Sequence, residues 1–229
     1  MSSSAASELH VLRVFTDAGG GHGNPLGVFL DGAATADANR QAVAADLGFS
    51  ETVFVDDAAT GRYRIFTPAA ELPFAGHPTV GTAWLLHRLG RGVPSVHPPA
   101  GEVPTWTEGP LRWIRARAAW VHPIHVEQLA DPAAVDALDA PPSGDGSYYP
   151  WAWLDEAAGI VRSRYFVSSL GIGEDEATGA AAVVMGDLLG RPIEIHQGRG
   201  SILHVRPGPD GTVDVGGRCV LDEVRAYPA

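Results

Sequence analysis

Three titratable side chains in this sequence have neighbours that suit acid–base chemistry. Glu51 begins the apolar run of LGFSETVFV, His77 lies in a turn of small residues, and Asp175 precedes a second such turn. A carboxyl group in a cleft can remove a proton from one carbon atom and return it to another. Taken singly, such a glutamate is usually solvated, and such a histidine more often caps a turn or packs in the core. A lone aspartate there could simply favour a helix N-terminus.

The histidine and the aspartate each precede a predicted helix that is apolar around most of its circumference. The first is predicted over residues 78–89, ending at Gly90, and the second over residues 179–189, ending at Gly190. A soluble helix that is apolar all round must be buried on all sides, so we expect a layer of strands around each. Both halves of the chain contain the same series of features: strands, an acidic residue, a glycine-containing turn and an apolar helix. This indicates a weak internal duplication.

The starts of these helices could bind an acid. A buried helix start has unpaired N–H groups and about half a positive charge, which suit a ligand carboxylate. Pro78 at the first helical position would remove one donor. Three small residues would let a ligand approach the backbone closely: Gly76, Gly179 and Ala180. The alternative is ordinary capping of both starts by Thr79 and Thr178 together with water.

Composition excludes several classes of function. The chain has 229 residues, enough for one large or two small domains, and 45% of them are hydrophobic. A formal net charge of −11, without a cluster of basic residues, argues against binding to nucleic acids and anionic membranes. The single cysteine, Cys219, is predicted to be a small buried hydrophobe and excludes a two-cysteine catalytic pair. Without a signal-peptide pattern or an apolar run of about 18 residues, we expect a soluble, cytoplasmic protein.

Most of the remaining elements are predicted to be strands. They cover residues 10–17, 26–30, 50–57, 63–69, 111–121, 159–167, 193–198, 201–207 and 212–221. A helix is predicted over residues 37–47, and residues 128–150 are interpreted as a loop or a short helix with a linker. The order lacks the regular strand–helix alternation of a doubly wound sheet, which favours an α+β fold.

Several segments, in order along the chain, resemble the phenazine-biosynthesis PhzF-like family. They are FTD with GNP (15–17 and 23–25), LGFSETVFV (47–55), IFTPAAELPFAGHPTVGTA (65–83), GIGEDEATGAAA (171–182) and QGRGSILHV (197–205). The resemblance implies the fold of diaminopimelate epimerase: two similar domains, each a mainly antiparallel or mixed β-sheet wrapped around one central hydrophobic helix. We place the domains at residues 1–112 and 113–229, with the active site in the cleft between them. It also implies a homodimer.

The resemblance further implies a cofactor-free, metal-free isomerase acting on a small carboxylate. The best understood member converts trans-2,3-dihydro-3-hydroxyanthranilate into its keto tautomer. Its catalytic residues fall on Glu51, as acid and base with a pKa raised by desolvation, and on His77 and Asp175, which would orient the substrate. Helix-start N–H groups would hold the substrate carboxylate. Substrate-binding positions fall on Asn24, Gly76, Thr178, Gly179 and Ala180.

One motif departs from the family pattern. The usual Asp-Pro-Ala-Thr-Gly-Ser reads Asp-Glu-Ala-Thr-Gly-Ala here. Ala180 therefore lacks a serine hydroxyl that could bind substrate, and Glu176 adds a negative charge, expected beside the cleft.

Two other functions stay open from the sequence. One is a binding protein on the same fold that holds a small acid without turning it over. The other is a metal-dependent hydrolase using His122 and His125, although Pro123 breaks the helical spacing between them and no third ligand is evident.

Overall fold

The computed structural model of the chain describes residues 7–139, 146–167 and 173–228. Outside these ranges lie residues 1–6, part of the predicted irregular segment (140–145) and the first two residues of the motif at 171–182. The strands are β1 (Ser7–Thr16), β2 (Asn24–Phe29), β3 (Glu51–Asp57), β4 (Arg62–Phe66), β5 (Glu71–Leu72), β6 (Ser95–Val96), β7 (Val103–Glu108), β8 (Leu111–Ala116), β9 (His125–Gln128), β10 (Ser147–Asp155), β11 (Ile160–Ser163), β12 (Phe166–Val167), β13 (Ile193–Gln197), β14 (Ser201–Pro207) and β15 (Val213–Tyr227). The helices are α1 (Asp37–Leu47), α2 (Gly76–Arg88), α3 (Pro132–Asp136) and α4 (Gly179–Leu189).

The described strands pair into one continuous mixed sheet, which confirms the α+β class. Its main path runs β12-β10-β11-β13-β14-β15-β1-β2-β3-β4-β5, with β6, β7, β8 and β9 attached to the side. The pairs β2–β3, β9–β10 and β11–β13 are parallel, and the other described pairs are antiparallel. Strand β15 joins two parts of the sheet, because its first part pairs with β8 and β14 and its second part pairs with β1.

Helices α2 and α4 are the buried elements that the sequence predicts. Helix α2 contacts β1, β2, β3, β8 and β15, and α4 contacts β14 and β15. Each has a glycine where a strand comes close: a Cβ atom on Gly81 would lie 2.5 Å from the Leu26 side chain, and one on Gly186 would lie 2.5 Å from that of Val213. The burial ends in the last turn of α4, where Leu188 is 59% exposed.

The helix boundaries correct one detail. Helix α4 begins at Gly179 as predicted, but α2 begins at Gly76, two residues earlier than predicted. Pro78 is therefore the third helical residue rather than the first. A proline is tolerated there for the same reason, because the third N–H of a helix also lacks an intrahelical partner.

The segment at 128–150 holds a short helix, α3, as one of its two interpretations has it, but it also holds the start of β10, which was not predicted. Aromatic residues favour β10, SYYPWAWLD, but Pro150 and the preceding Pro-Pro-Ser-Gly obscured it. The strand predicted over residues 159–167 is divided into β11 and β12.

The boundary between residues 112 and 113 lies inside β8, and the largest buried apolar cluster includes residues from both sides of it. The division into two domains, like the homodimer, stays a prediction. None of the described helices is long and apolar enough to cross a membrane. Cys219 lies half-buried in β15, where burial raises the pKa of its thiol.

Candidate active site

The N-termini of α2 and α4 meet, and the point of contact is a pair of glycines. A Cβ atom on Gly76 would lie 2.4 Å from the carbonyl carbon of Gly179. A Cβ atom on Gly179 would lie 2.7 Å from that of Gly76. The two helix starts therefore face each other. At the two glycines themselves the backbones pack against each other, so a ligand can approach the helix starts only beside this contact.

No threonine caps either helix start in the described chain. The Thr79 hydroxyl donates to the Ala75 carbonyl at 2.6 Å and accepts from the Tyr63 hydroxyl at 2.7 Å. Thr178 occupies the N-cap position of α4, but its hydroxyl donates to Asp175 Oδ2 at 2.6 Å. The alternative of ordinary threonine capping is thus wrong.

Glu51 is the first residue of β3 and is buried beside these helix starts. Its Oε2 atom has no hydrogen-bond partner among the described residues and lies 3.4 Å from Nδ1 of His77. Burial is the main reason that the pKa of Glu51 is raised to about 8; the charge of Asp175 also raises it, and a hydrogen bond with Ser50 opposes the rise. The carboxyl group can therefore be protonated or ionised near neutral pH.

His77 is the second residue of α2 and lies behind Glu51. It is 2% exposed, and burial lowers the pKa of its imidazole to about 3. A neutral imidazole adds no positive charge to the site, which helps to keep the pKa of Glu51 high.

Asp175 is held by two short hydrogen bonds. Asn24 Nδ2 donates to its Oδ1 at 2.6 Å, and the Thr178 hydroxyl donates to its Oδ2 at 2.6 Å. Burial raises the pKa of Asp175 to about 6, although both hydrogen bonds favour the ionised form; the charge of Glu176 adds to the rise. Glu51 and Asp175 thus form a buried pair of carboxyl groups with raised pKa values.

Gln197, a buried residue that sequence reasoning missed, holds the backbone of Asp175 and the neighbouring Thr178. Gln197 Nε2 donates to the Asp175 carbonyl at 3.0 Å and to the Thr178 hydroxyl at 2.9 Å, and its Oε1 accepts from the Thr178 N–H at 3.2 Å. Gln197 begins the segment QGRGSILHV, so its position in a family-like motif was an available signal.

A small cavity of about 20 Å³, room for about one water molecule, lies against this group. Four of the predicted residues line it: Glu51, Asp175, Thr178 and Ala180. The other lining residues were not predicted as parts of this site: Leu72, Phe74, Ala75, His122, Tyr165 and Val167. Four of the predicted residues do not line the cavity: Asn24, Gly76, His77 and Gly179. Their contact with a substrate stays a prediction.

Glu176 does not line the cavity. Its carboxylate accepts from the Arg199 N–H at 3.0 Å and from the Ser201 hydroxyl at 3.0 Å, which ties it to the turn between β13 and β14. Its effect on the site is therefore indirect, through the pKa of Asp175.

The two histidines considered as metal ligands occupy different environments. His122 lines the cavity and contacts Ser147 and Tyr165, whereas His125 is exposed and stacks on Tyr148. Among the described residues, no three histidine, cysteine or acidic side chains converge as metal ligands would.

Comparison with known proteins identifies the family of the chain. The family model described as phenazine biosynthesis-like protein matches residues 12–112. A trans-2,3-dihydro-3-hydroxyanthranilate isomerase of Pseudomonas fluorescens is 32% identical over 223 residues, covering 77% of this chain and 80% of that protein. The chain belongs to the PhzF-like family.

Other members are similar over shorter or longer stretches. An uncharacterized isomerase of Pasteurella multocida is 46% identical over 83 residues, and this match covers 34% of the chain and only 28% of that relative. The solved structure of a predicted epimerase of Pseudomonas aeruginosa is 27% identical and superposes with a TM-score of 0.77 over 98% of this chain and 100% of that one. The likeness of fold to this structure thus extends beyond residues 12–112, which the family model matches.

Proposed function

We propose that this chain is a cofactor-independent isomerase that moves a proton between two carbon atoms of a small amino- or hydroxy-carboxylate. Glu51 is the acid and base. The observation that carries the proposal is the state of this residue: it is buried at the cavity, its Oε2 has no hydrogen-bond partner among the described residues, and its pKa is raised to about 8. The names of the relatives support an isomerase, and that of the Pseudomonas fluorescens relative suggests a substrate like trans-2,3-dihydro-3-hydroxyanthranilate.

The proposed reaction needs one group that works in both directions. Ionised Glu51 takes a proton from one carbon, and the electron pair of the broken C–H bond enters the conjugated system of the substrate. Protonated Glu51 then gives that proton to a second carbon, where a new C–H bond forms. A pKa near 8 suits both steps, because neither form of the carboxyl group is scarce near neutral pH.

The negative charge that develops on the substrate must be stabilised by neutral donors. The lining residues contribute two carboxyl groups, and the described lining includes no arginine or lysine. The uncapped N–H groups at the starts of α2 and α4 are suited to a carboxylate or a developing oxyanion. His77 stays neutral and positions Glu51.

Substrate entry requires the site to open. A six-membered ring acid is far larger than one water molecule, and the cavity holds about 20 Å³. We infer that the chain forms two domains, with the cavity between them, and that their separation admits the substrate. The contact between Gly76 of α2 and Gly179 of α4 would lie on this boundary.

The test is hydrogen exchange followed by NMR in D2O. Wild type, Glu51→Gln and the control Glu156→Gln are each mixed with dihydro-hydroxyanthranilate and a panel of small cyclic and amino acids. Glu156 is exposed in the turn between β10 and β11, so its replacement should change nothing. We expect deuterium to enter a C–H position with wild type and the control only. Exchange at an undiminished rate with Glu51→Gln would contradict the proposal.

The same experiment tests a second candidate, a protein that binds a small acid without turning it over. Ala180 favours this alternative, because it places a methyl group in the cavity wall where the family motif has a serine. Ligand signals that broaden with wild type but never exchange would support it.

A further inference from the structure

A second polar group lies in the cavity wall, and the reaction proposed above does not use it. Tyr165 lies between β11 and β12 and is 2% exposed. His122 Nε2 is 3.0 Å from the Tyr165 hydroxyl and 3.1 Å from that of Ser147. The Asp175 N–H donates to the Tyr165 carbonyl at 2.9 Å, which fixes the tyrosine relative to the carboxyl pair.

Tyr165 and His122 are both uncharged, and in this state they can form hydrogen bonds with a neutral or negative ligand atom. Burial is the main reason that the pKa of Tyr165 is raised to about 12, and the charges of Asp175 and Glu51 add to it, so the hydroxyl stays protonated. Burial lowers the pKa of His122, so its imidazole stays neutral. A neutral Nε2 has either one hydrogen or one lone pair.

One of the two tautomers of His122 leaves the Tyr165 hydroxyl hydrogen available to a ligand. When Nε2 accepts, the Tyr165 hydroxyl can donate to it. When the other tautomer is present, Nε2–H donates to the Tyr165 oxygen, and the tyrosine hydrogen is then available to the cavity. The group can therefore switch from a closed internal arrangement to binding an oxygen atom without changing its net charge.

An oxygen of the substrate needs such a donor on this side of the cavity. Glu51 and Asp175 are acceptors when ionised, and the apolar lining side chains, Leu72, Phe74 and Val167, have no polar atoms. A buried oxygen without a hydrogen bond would lower the affinity.

We propose that Tyr165 contacts the substrate and donates a hydrogen bond to its ring hydroxyl or oxo oxygen, and that His122 is a positioning residue which holds the tyrosine hydroxyl. This assignment rests on the proposed function, because it takes its substrate class from there. It makes Tyr165 a determinant of specificity for acids with an oxygen substituent on the ring.

A pair of aromatic ligands tests the contact without turnover: 3-hydroxyanthranilate and anthranilate, which differ only in the ring hydroxyl. Their Kd values are measured by calorimetry for wild type, Tyr165→Phe and the control Tyr227→Phe, whose lost hydroxyl contacts Asp46 on the outer surface. We expect wild type and the control to bind the hydroxylated ligand about tenfold more tightly. Tyr165→Phe should bind both ligands equally.

The positioning role of His122 has its own comparison. His122→Gln keeps an N–H donor near the position of Nε2 and should retain part of the preference for the hydroxylated ligand, whereas His122→Leu should lose most of it. A purely structural role would change stability and leave the preference intact. Circular dichroism checks that each variant is folded.

Each result decides a separate question. An unchanged preference in Tyr165→Phe, or a wild type that binds neither ligand, would overturn the assignment. A preference that disappears in Tyr165→Phe supports it, even if no deuterium exchange is found with any substrate. That last outcome would reject the isomerase and leave the binding contact in place.

Discussion

Gly76 and Gly179, the first residues of α2 and α4, are in direct backbone contact: a Cβ atom on Gly76 would lie 2.4 Å from the carbonyl carbon of Gly179. The two buried helices therefore meet start to start, at a residue in each that has no side chain. Glu51 and Asp175 lie beside this contact, so the glycine pair sets the distance between the halves of the site.

Replacement of Gly76 by alanine should separate the helix starts. The added methyl group would overlap the backbone of Gly179, which cannot rotate away as a side chain could. We expect a loss of about 2–4 kcal/mol in the free energy of unfolding and loss of the exchange activity. Urea unfolding and NMR exchange measure the two effects.

The control is Gly146→Ala, where an added Cβ atom would meet no atom of the described residues within 4 Å. Equal stability of Gly76→Ala and this control would show that the helix starts do not constrain each other.

Replacement of Asp175 by asparagine should lower the pKa of Glu51. Burial is the larger cause of the raised value and remains, but the negative charge of Asp175 is the second cause and would be removed. We expect the Glu51 carboxyl carbon, followed by 13C NMR, to titrate below the wild-type value of about 8. Glu156→Gln should leave this titration in place, and an unshifted or raised value in Asp175→Asn would show that the two carboxyl groups do not interact.

The sequence predicted the site more fully than it predicted the sheet. The helix-start motifs are local, so the small-residue turns around His77 and Asp175 identified both buried helices and the acid–base candidates. The expectation that these residues lie close together in the fold came from the family resemblance and from the apolar character of the two helices. The strand order could not be read locally, because β15 pairs with β1 across more than 200 residues of sequence.

Tyr165 and Gln197 show why part of the site stayed hidden. Tyr165 lies in GIVRSRYFV, where an aromatic residue is ordinary for a strand. Only its contact with His122, distant in sequence, distinguishes it. Gln197 lies in a recognised motif, but a glutamine has no titratable group and the pattern alone does not give it a partner.

Glu51→Gln should make the protein more stable at alkaline pH. The carboxyl group has a pKa near 4.5 when unfolded and about 8 when folded, so between these values the folded state binds more protons. Its contribution to the free energy of unfolding is therefore fully present below about pH 4.5 and is lost as the pH rises through 8. Glutamine is neutral throughout, so the variant should exceed wild type by on the order of 4 kcal/mol at pH 8 and by less than about 1 kcal/mol at pH 5.

Urea unfolding at pH 5, 6, 7 and 8 measures this difference, and Glu156→Gln should follow wild type at every pH. Parallel curves for Glu51→Gln and wild type would mean that the carboxyl group is not desolvated.

Ala180→Ser should strengthen the binding of a carboxylate. Ala180 is the second residue of α4, lines the cavity and is 7% exposed, so a hydroxyl at this position would stand beside the uncapped helix-start N–H groups. A hydrogen bond to a charged acceptor is worth about 1.5–3 kcal/mol at best, and the crowding of a small cavity offsets part of it. We expect the Kd for anthranilate to fall about fivefold. Anthranilamide, which has the same ring but no charge, should gain less. Calorimetry with both ligands checks this, and an equal gain for the two would mean that the added hydroxyl meets some group other than the carboxylate.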